Sequence, residues 1–269
     1  MSLRANDFNY VRELVRAQSA NILSEGQMYL VESRLSSLAR AEGLRSLDEL
    51  FSKLRTPASP LRAKVVDAMT TNETSFFRDR HPFDALRDKI LPGLVAGRRN
   101  EPIRIWSAAC SSGQEPYSIA MLISERYGDL KGFEIFASDI SPSMVARAAR
   151  GEYSQLEVNR GLPANFLQKY FVREGMRWKV KDALRKVIRF RNMNLVEAWP
   201  AFPPVDVIFM RNVLIYLDIE TRREILRKVR GRLKPNGVLF LGGQETTMNV
   251  DNAFEKVDFV RAGCFKVRR

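Results

Sequence analysis

The most constraining stretch of the chain is Ile103 to Ala108 (IRIWSA). It is a short buried strand that runs into a turn of small residues, Ala109-Cys110-Ser111-Ser112-Gly113, and then into a helix from Pro116 to Tyr127. Phe133 to Ser138 (FEIFAS) repeats the unit, with a helix from Ser141 to Arg150 that carries Pro142 at an early helical position. Val187 to Phe190, Val205 to Met210 and Gly237 to Leu241 read as further strands, with a helix over Thr221 to Leu233 between the last two. Phe259 to Val267 closes the chain as a strand pair or bent strand. Parallel strands need long crossovers. Alternation of this kind therefore predicts an α/β fold, a mostly parallel sheet with helices on both faces.

The N-terminal part has neither strand alternation nor a glycine-rich loop and reads as short helices. Asp7 is expected to cap the first, which carries Tyr10, Val11, Leu14 and Val15. Gly26 opens a second with Tyr29, Leu30, Leu35 and Leu38. Leu47, Leu50, Phe51 and Leu54 make a third before the breakers Thr56-Pro57-Ala58-Ser59-Pro60, and another runs from Ala63 to Met69. Between Arg150 and the Val187 strand, residues 154–186 are too long for a connection. They contain two short strands, Tyr170 to Arg173 and Arg177 to Val180, around Glu174-Gly175-Met176. The expected organisation is a helical domain over 1–69, an interdomain segment over 70–80, and an α/β domain over 81–269 with a small antiparallel β-subdomain inserted at about 154–186.

Composition narrows the chemistry. Cys110 and Cys264 are the two cysteines and His81 the one histidine, which argues against a disulfide framework, a metal centre and a serine-type triad. No apolar run is long enough to span a bilayer and the first residues lack the apolar core of a signal peptide, so a cytoplasmic protein is expected. The net charge of +13 suggests nucleic acid, an anionic surface or an acidic protein. The excess is uneven: residues 1–68 hold 10 basic and 8 acidic side chains, residues 145–191 hold 12 and 4. Charge alone does not choose between an acidic protein and RNA.

In an open parallel sheet the ligand sits beyond the carboxyl ends of the strands. The loop after the first strand is not GxGxxG, and no lysine follows it. Glu115 stands at the helix entry instead, where it would repel a pyrophosphate and suit a cation; a first-turn acid favoured by the helix dipole is the plainer alternative. Asp139 ends the second strand, 26 residues after Gly113, placed to bind both hydroxyls of a ribose or, more simply, to cap the next helix. A cationic nucleoside without phosphate is S-adenosylmethionine, so the residues point to a methyltransferase.

Four motifs then carry a resemblance. They are Asn72-Glu73-Thr74-Ser75-Phe76-Phe77-Arg78, the run from Trp106 to Ser118, Ala137-Ser138-Asp139-Ile140-Ser141, and Arg211-Asn212-Val213-Leu214-Ile215-Tyr216. In order and spacing the chain resembles the CheR family of chemotaxis-receptor glutamate methyltransferases over essentially its whole length. The resemblance implies a Rossmann-like class I methyltransferase sheet, S-adenosylmethionine as cofactor with S-adenosylhomocysteine as product, no metal, and transfer to glutamate carboxylates of the helical cytoplasmic region of chemoreceptors. It implies cofactor contacts at Asn72, Thr74, Arg78, Glu115, Asp139, Asn194, Leu195, Arg211 and Asn212, and a tyrosine near the transferred methyl at Tyr216. Arg78 and Tyr216 are the expected orienting groups for the reaction.

The plainer expectations are interdomain packing for Phe76 and Phe77, core packing for Trp106, and a buried, inert thiol for Cys110. Two rival functions remain: a nucleic-acid methyltransferase, which would be expected to show an acid or Asn followed by Pro-Pro-aromatic where this chain has Arg211-Asn212-Val213-Leu214, and a non-catalytic cofactor-sensing adaptor. Arg34, Arg40 and Arg45 around the second helix are expected to dock an acidic receptor strip. The family members that bind a receptor's C-terminal pentapeptide add it as a strand to the small sheet. The short Arg173-Glu174-Gly175-Met176-Arg177 connection, with Met176 and Trp178 crowding the edge, predicts independence of that tether. It leaves the basic hairpin free for another acidic partner. Nucleic acid and membrane insertion are not expected.

Overall fold

The computed structural model describes residues 3–56, 58–98 and 101–268, so Pro57 of the expected breaker stretch lies outside the described residues. The chain divides into two compact units. One runs to Thr71 and includes Tyr216–Thr221; the other holds Asn72–Ile215 and the chain from Arg222 onward.

The smaller unit contains α1 (Ala5–Ser19), α2 (Met28–Ala41), α3 (Leu47–Leu54) and α4 (Leu61–Met69). Their apolar faces meet in a core that includes Val11, Val15, Val31, Leu35, Leu50, Leu54 and Val65, each with no exposed surface. Asp7 does not cap α1. The helix begins two residues earlier, and the buried Asp7 carboxylate takes a charged hydrogen bond of 2.5 Å from Arg55, at the C-terminal end of α3. A lone carboxylate at that depth would need such a partner. Ser46 does cap α3, accepting from the Glu49 amide.

In the larger unit α5 (His81–Ala85) and α6 (Leu91–Ala96) precede β1 (Ile103–Ala108), α7 (Gln114–Tyr127), β2 (Phe133–Asp139) and α8 (Pro142–Arg150). The insertion follows with β3 (Glu152–Tyr153), α9 (Gln155–Val158), α10 (Ala164–Tyr170), β4 (Phe171–Glu174), β5 (Arg177–Val180) and α11 (Asp182–Arg185). The chain then returns through β6 (Ile188–Asn192), β7 (Val205–Met210), α12 (Ile219–Arg230, whose residues up to Thr221 group with the smaller unit), β8 (Leu233–Leu241), β9 (Phe254–Lys256) and β10 (Cys264–Val267).

The main sheet has the order β6-β2-β1-β7-β8-β10-β9. Its first five strands are parallel, and β10 and β9 are antiparallel additions at one edge. The expected strand pair or bent strand over Phe259–Val267 is not what closes the chain: only Cys264–Val267 of that stretch is a strand, and its partner β9 lies before it, with residues 257–263 as the connection. From β1 the chain builds outward through β2 to β6, then crosses back to β7 and β8. The strand order thus reverses between β1 and β7, the place where a doubly wound sheet opens a ligand crevice.

The insertion forms a second antiparallel sheet in the order β3-β5-β4. Trp178 lies on its central strand, paired with Tyr153 on one side and Arg173 on the other. The sequence expectation that it crowds an edge is therefore not met, because β3 pairs with β5 on that side and makes β5 the central strand. Phe76 and Phe77, expected as interdomain packing, both join the core of the larger unit. Phe76 is fully buried in the larger unit, edge-on to Tyr153 and Phe171, and Phe77 meets Phe83 and Phe166. The insertion therefore shares its core with the Asn72–Arg78 segment.

Candidate active site

Register places the site. Ala108 pairs with Ser138 on one side and with Met210 on the other, so Ala109, Asp139 and Arg211 leave the sheet side by side at the reversal point. One strand further out Asp139 pairs with Asn192, which sets Asn194 and Leu195 just beyond the same end.

The loop after β1 is wound tightly. Ala109, Ser111 and Gly113 have φ of 56°, 50° and 94°, left-handed values that only glycine adopts freely. A Cβ on Gly113 would lie 2.8 Å from the Cβ of Ala148 and 3.2 Å from the Tyr153 hydroxyl, so the close packing of the loop on α8 requires glycine. The Tyr153 hydroxyl donates to the Ser112 carbonyl at 2.8 Å. The winding turns the Ser111 amide toward the buried Asp139 carboxylate, which accepts it at 2.7 Å on Oδ2 and the Ser141 amide at 2.9 Å on Oδ1. Ser141, not Asp139, caps α8 through the Met144 amide. Two backbone donors thus fix the Asp139 carboxylate at the end of β2. Burial, and then the negative charges of Asp139 and Glu115, push the neighbouring Cys110 thiol well above the usual thiol range.

Glu115 at the start of α7 is answered within the protein. Its Oε1 accepts from the Ser107 hydroxyl at 2.7 Å and its Oε2 from the Arg211 guanidinium at 3.0 Å. Arg211, whose side chain is 2% exposed, also donates to the Arg78 carbonyl at 2.8 Å and to the Asp79 carboxylate at 2.6 Å, and stacks on Phe83. It therefore ties the loop after β7 to α7 and to the segment carrying Asn72, Thr74 and Arg78. That segment is itself strained, with Phe77, Asp79 and Arg80 at positive φ. The Asn72 carbonyl accepts from the Ser111 hydroxyl at 2.9 Å, and Arg78 donates to the Glu73 carbonyl. Thr74 is half-buried on the same segment.

Asn194 bonds Glu197 and accepts the Val196 amide, while the buried Leu195 presents its carbonyl to Trp199 and Lys228. Tyr216 groups with the smaller unit, where its carbonyl accepts from the Ile22 amide. In that unit the three candidate docking arginines separate. Arg34 donates to the Ala68 and Thr70 carbonyls at the end of α4, and burial draws its pKa below the usual guanidinium value. Arg40 and Arg45 line a cavity of about 510 Å³ with Ser36 and Ser46.

Sequence reasoning missed Asp79 and Glu245. Asp79 adjoins a recognised motif, but an acid in a loop carries no spacing signal; Glu245 comes from a different strand end altogether.

Two family models match. One described as the all-alpha domain of CheR methyltransferase covers residues 6–70, and one described as the SAM binding domain of CheR methyltransferase covers residues 72–262. The chain belongs to the CheR methyltransferase family. Similar proteins include chemotaxis protein methyltransferase 1 of Pseudomonas aeruginosa, 44% identical with 96% of each chain covered. Chemotaxis protein methyltransferase Cher2 of Pseudomonas putida is 41% identical over 96% of each, and chemotaxis protein methyltransferase 1 of Vibrio cholerae 42% identical over 90% of each.

As a CheR methyltransferase the chain has the class I fold and uses S-adenosylmethionine. The crevice fits that group. Arg211 Nε and Asn212 Oδ1 are buried there without a hydrogen-bond partner among the described residues, and the acids present suit a cationic nucleoside. Among the described residues no cluster of His, Cys, Asp and Glu could hold a metal ion, and no helix is long and apolar enough to cross a membrane.

Proposed function

We propose that this CheR methyltransferase esterifies glutamate side chains in the helical cytoplasmic region of chemoreceptors, for chemosensory adaptation, without a pentapeptide tether. It would act in the cytoplasm, recruited to receptor arrays. The observation that carries the reading is the side-by-side exit of Ala109, Asp139 and Arg211 from a sheet whose family relatives are named chemotaxis protein methyltransferases. The loop after β7 supports a protein over a nucleobase as acceptor, because Arg211-Asn212-Val213-Leu214 lacks the Pro-Pro-aromatic shelf for a flipped base.

In this reading Asp139, at the carboxyl end of β2, holds the ribose, Asn194 and Leu195 border the adenine, and Asn72, Thr74, Arg78 and Asn212 frame the rest of the cofactor. When bound, S-adenosylmethionine supplies a methyl group activated by a positive sulfonium. Arg211 is shared between Glu115 and Asp79, so the three groups together keep a net negative charge; Glu115 also holds Arg211, and with it the Asp79–Arg78 segment. The acceptor glutamate has an ordinary pKa near ~4.3, is ionised at neutral pH and needs no general base. The protein's work is alignment and exclusion of water. Arg78 and the Tyr216 hydroxyl orient the acceptor carboxylate; Arg78 must do so weakly, since tight ground-state binding would raise the barrier.

Tether independence is supported by the two-residue link Gly175-Met176 between β4 and β5, which leaves no extended loop beside the open β4 edge. Incubation with methyl-labelled donor and either a receptor cytoplasmic fragment or total RNA tests the assignment. Base-labile label on the receptor is expected, and base-stable label on RNA alone would overturn it. Calorimetric titration with a receptor C-terminal pentapeptide is expected to show no heat, and micromolar binding would remove the tether claim.

A further inference from the structure

We infer that Glu245 is the positioning residue that holds Asn212 in its ligand-binding orientation; the inference rests on the assignment of Asn212 to the cofactor crevice. Glu245 lies after β8, is 9% exposed, and takes four backbone N–H groups on one carboxylate. Oε2 accepts from Asn212 at 2.7 Å and from Gly242 at 2.7 Å; Oε1 accepts from Val213 at 2.9 Å and from Ile215 at 3.3 Å. Three of these donors belong to the loop after β7 and one to the loop after β8, so a single anion joins the two strand ends.

The arrangement is a backbone nest, successive amides curled around an anion, here one supplied by the protein itself. Asn212 has a φ of 58°, the left-handed value that brings its own amide and the next to the same carboxylate. Its side chain is confined from the other side by Gly242, where an added Cβ would lie 2.8 Å from both Asn212 Nδ2 and Glu245 Oε2. The carboxamide is left with Oδ1 buried and without a partner among the described residues, an acceptor fixed in place before any ligand arrives. An ionised acceptor is the suitable choice for four donors. A glutamine would keep one oxygen and turn an N–H₂ donor toward two backbone N–H groups that cannot accept from it.

The test is a double-mutant cycle in the full chain, with S-adenosylhomocysteine affinity read by calorimetry and thermal melting recorded beside it. Glu245→Gln and Asn212→Ala should each weaken binding by about tenfold, as loss of a charged or well-placed hydrogen bond does. In the Asn212→Ala background Glu245→Gln should weaken binding by less than about twofold, since its effect travels through Asn212. Full additivity, or wild-type affinity in Glu245→Gln, would overturn the inference. Wild-type affinity in Asn212→Ala would instead remove the cofactor assignment of Asn212, and the inference with it. Should Glu245→Gln not fold, Glu245→Asp, which keeps the charge but shortens its reach to the four amides, is expected to give the same non-additive loss, and wild-type affinity there would overturn the inference.

Discussion

Asp139 is the most informative single residue. Two backbone amides already hold it, so removing the carboxylate should disturb the loop after β1 as well as the proposed ribose contact. Asp139→Ala is expected to weaken S-adenosylhomocysteine binding by about tenfold or more, with Asp139→Asn between it and the parent. Equal affinities in all three, measured by calorimetry, would rule Asp139 out as the ribose ligand. Tyr216→Phe should keep cofactor affinity and lose receptor methylation; full transfer would remove its orienting role. The two thiols are poor nucleophiles for a physical reason. Burial pushes Cys264 up to about 12 and Cys110 well above its usual range, and the thiolate is the reactive form. Neither should be alkylated by iodoacetamide at about pH 8 in the folded protein, while both should react in denaturant, as mass spectrometry can read.

At the scale of elements, the insertion is joined to the site through packing and hydrogen bonds. Gly161 sits at φ 89° where an added Cβ would lie 2.1 Å from the Phe76 carbonyl, so its chain is pressed directly onto the segment carrying Arg78. Gly161→Ala should cost at least about 1–2 kcal/mol from the left-handed backbone alone, seen in urea melts, and should also weaken cofactor binding. α10 is fastened to α7 by Lys169 and Tyr170, whose hydrogen bonds hold the Glu125 carboxyl below its usual range. A carboxylate depressed on folding stabilises above its unfolded pKa and loses that contribution as pH falls through the folded value. Glu125→Gln should therefore flatten the fall in melting temperature between about pH 5 and pH 3; an unchanged slope would show that the pair contributes nothing.

For the whole molecule the relevant quantity is the positive field. Attraction to an acidic receptor strip should fade as salt shortens the Debye length toward ~8–10 Å, raising the apparent KM for receptor without changing cofactor affinity. The three arginines near α2 should no longer behave alike. Arg40→Ala with Arg45→Ala should raise that KM, since both line an open cavity. Arg34→Ala should instead lower thermal stability by about 1 kcal/mol, because it strips the α4 carbonyls of their donor. A KM unaffected by the double change would place docking elsewhere.

Strand–helix alternation, the small-residue turn after IRIWSA and an acid closing the second strand were enough to foresee a doubly wound sheet and a crevice for a cationic nucleoside, because backbone period and loop size are local properties. The place of Asp139 at the end of a strand was legible for the same reason, and a parallel sheet puts strand ends together. Contacts between distant segments were not legible. That Arg211 answers Glu115 and grips Asp79, that Glu245 holds four amides, that Trp178 is central in its sheet, and that Asp7 pairs with Arg55 instead of capping α1 all depend on which neighbours the fold supplies. A side chain's period shows whether it points inward; only the packed chain shows which charge or amide it meets there.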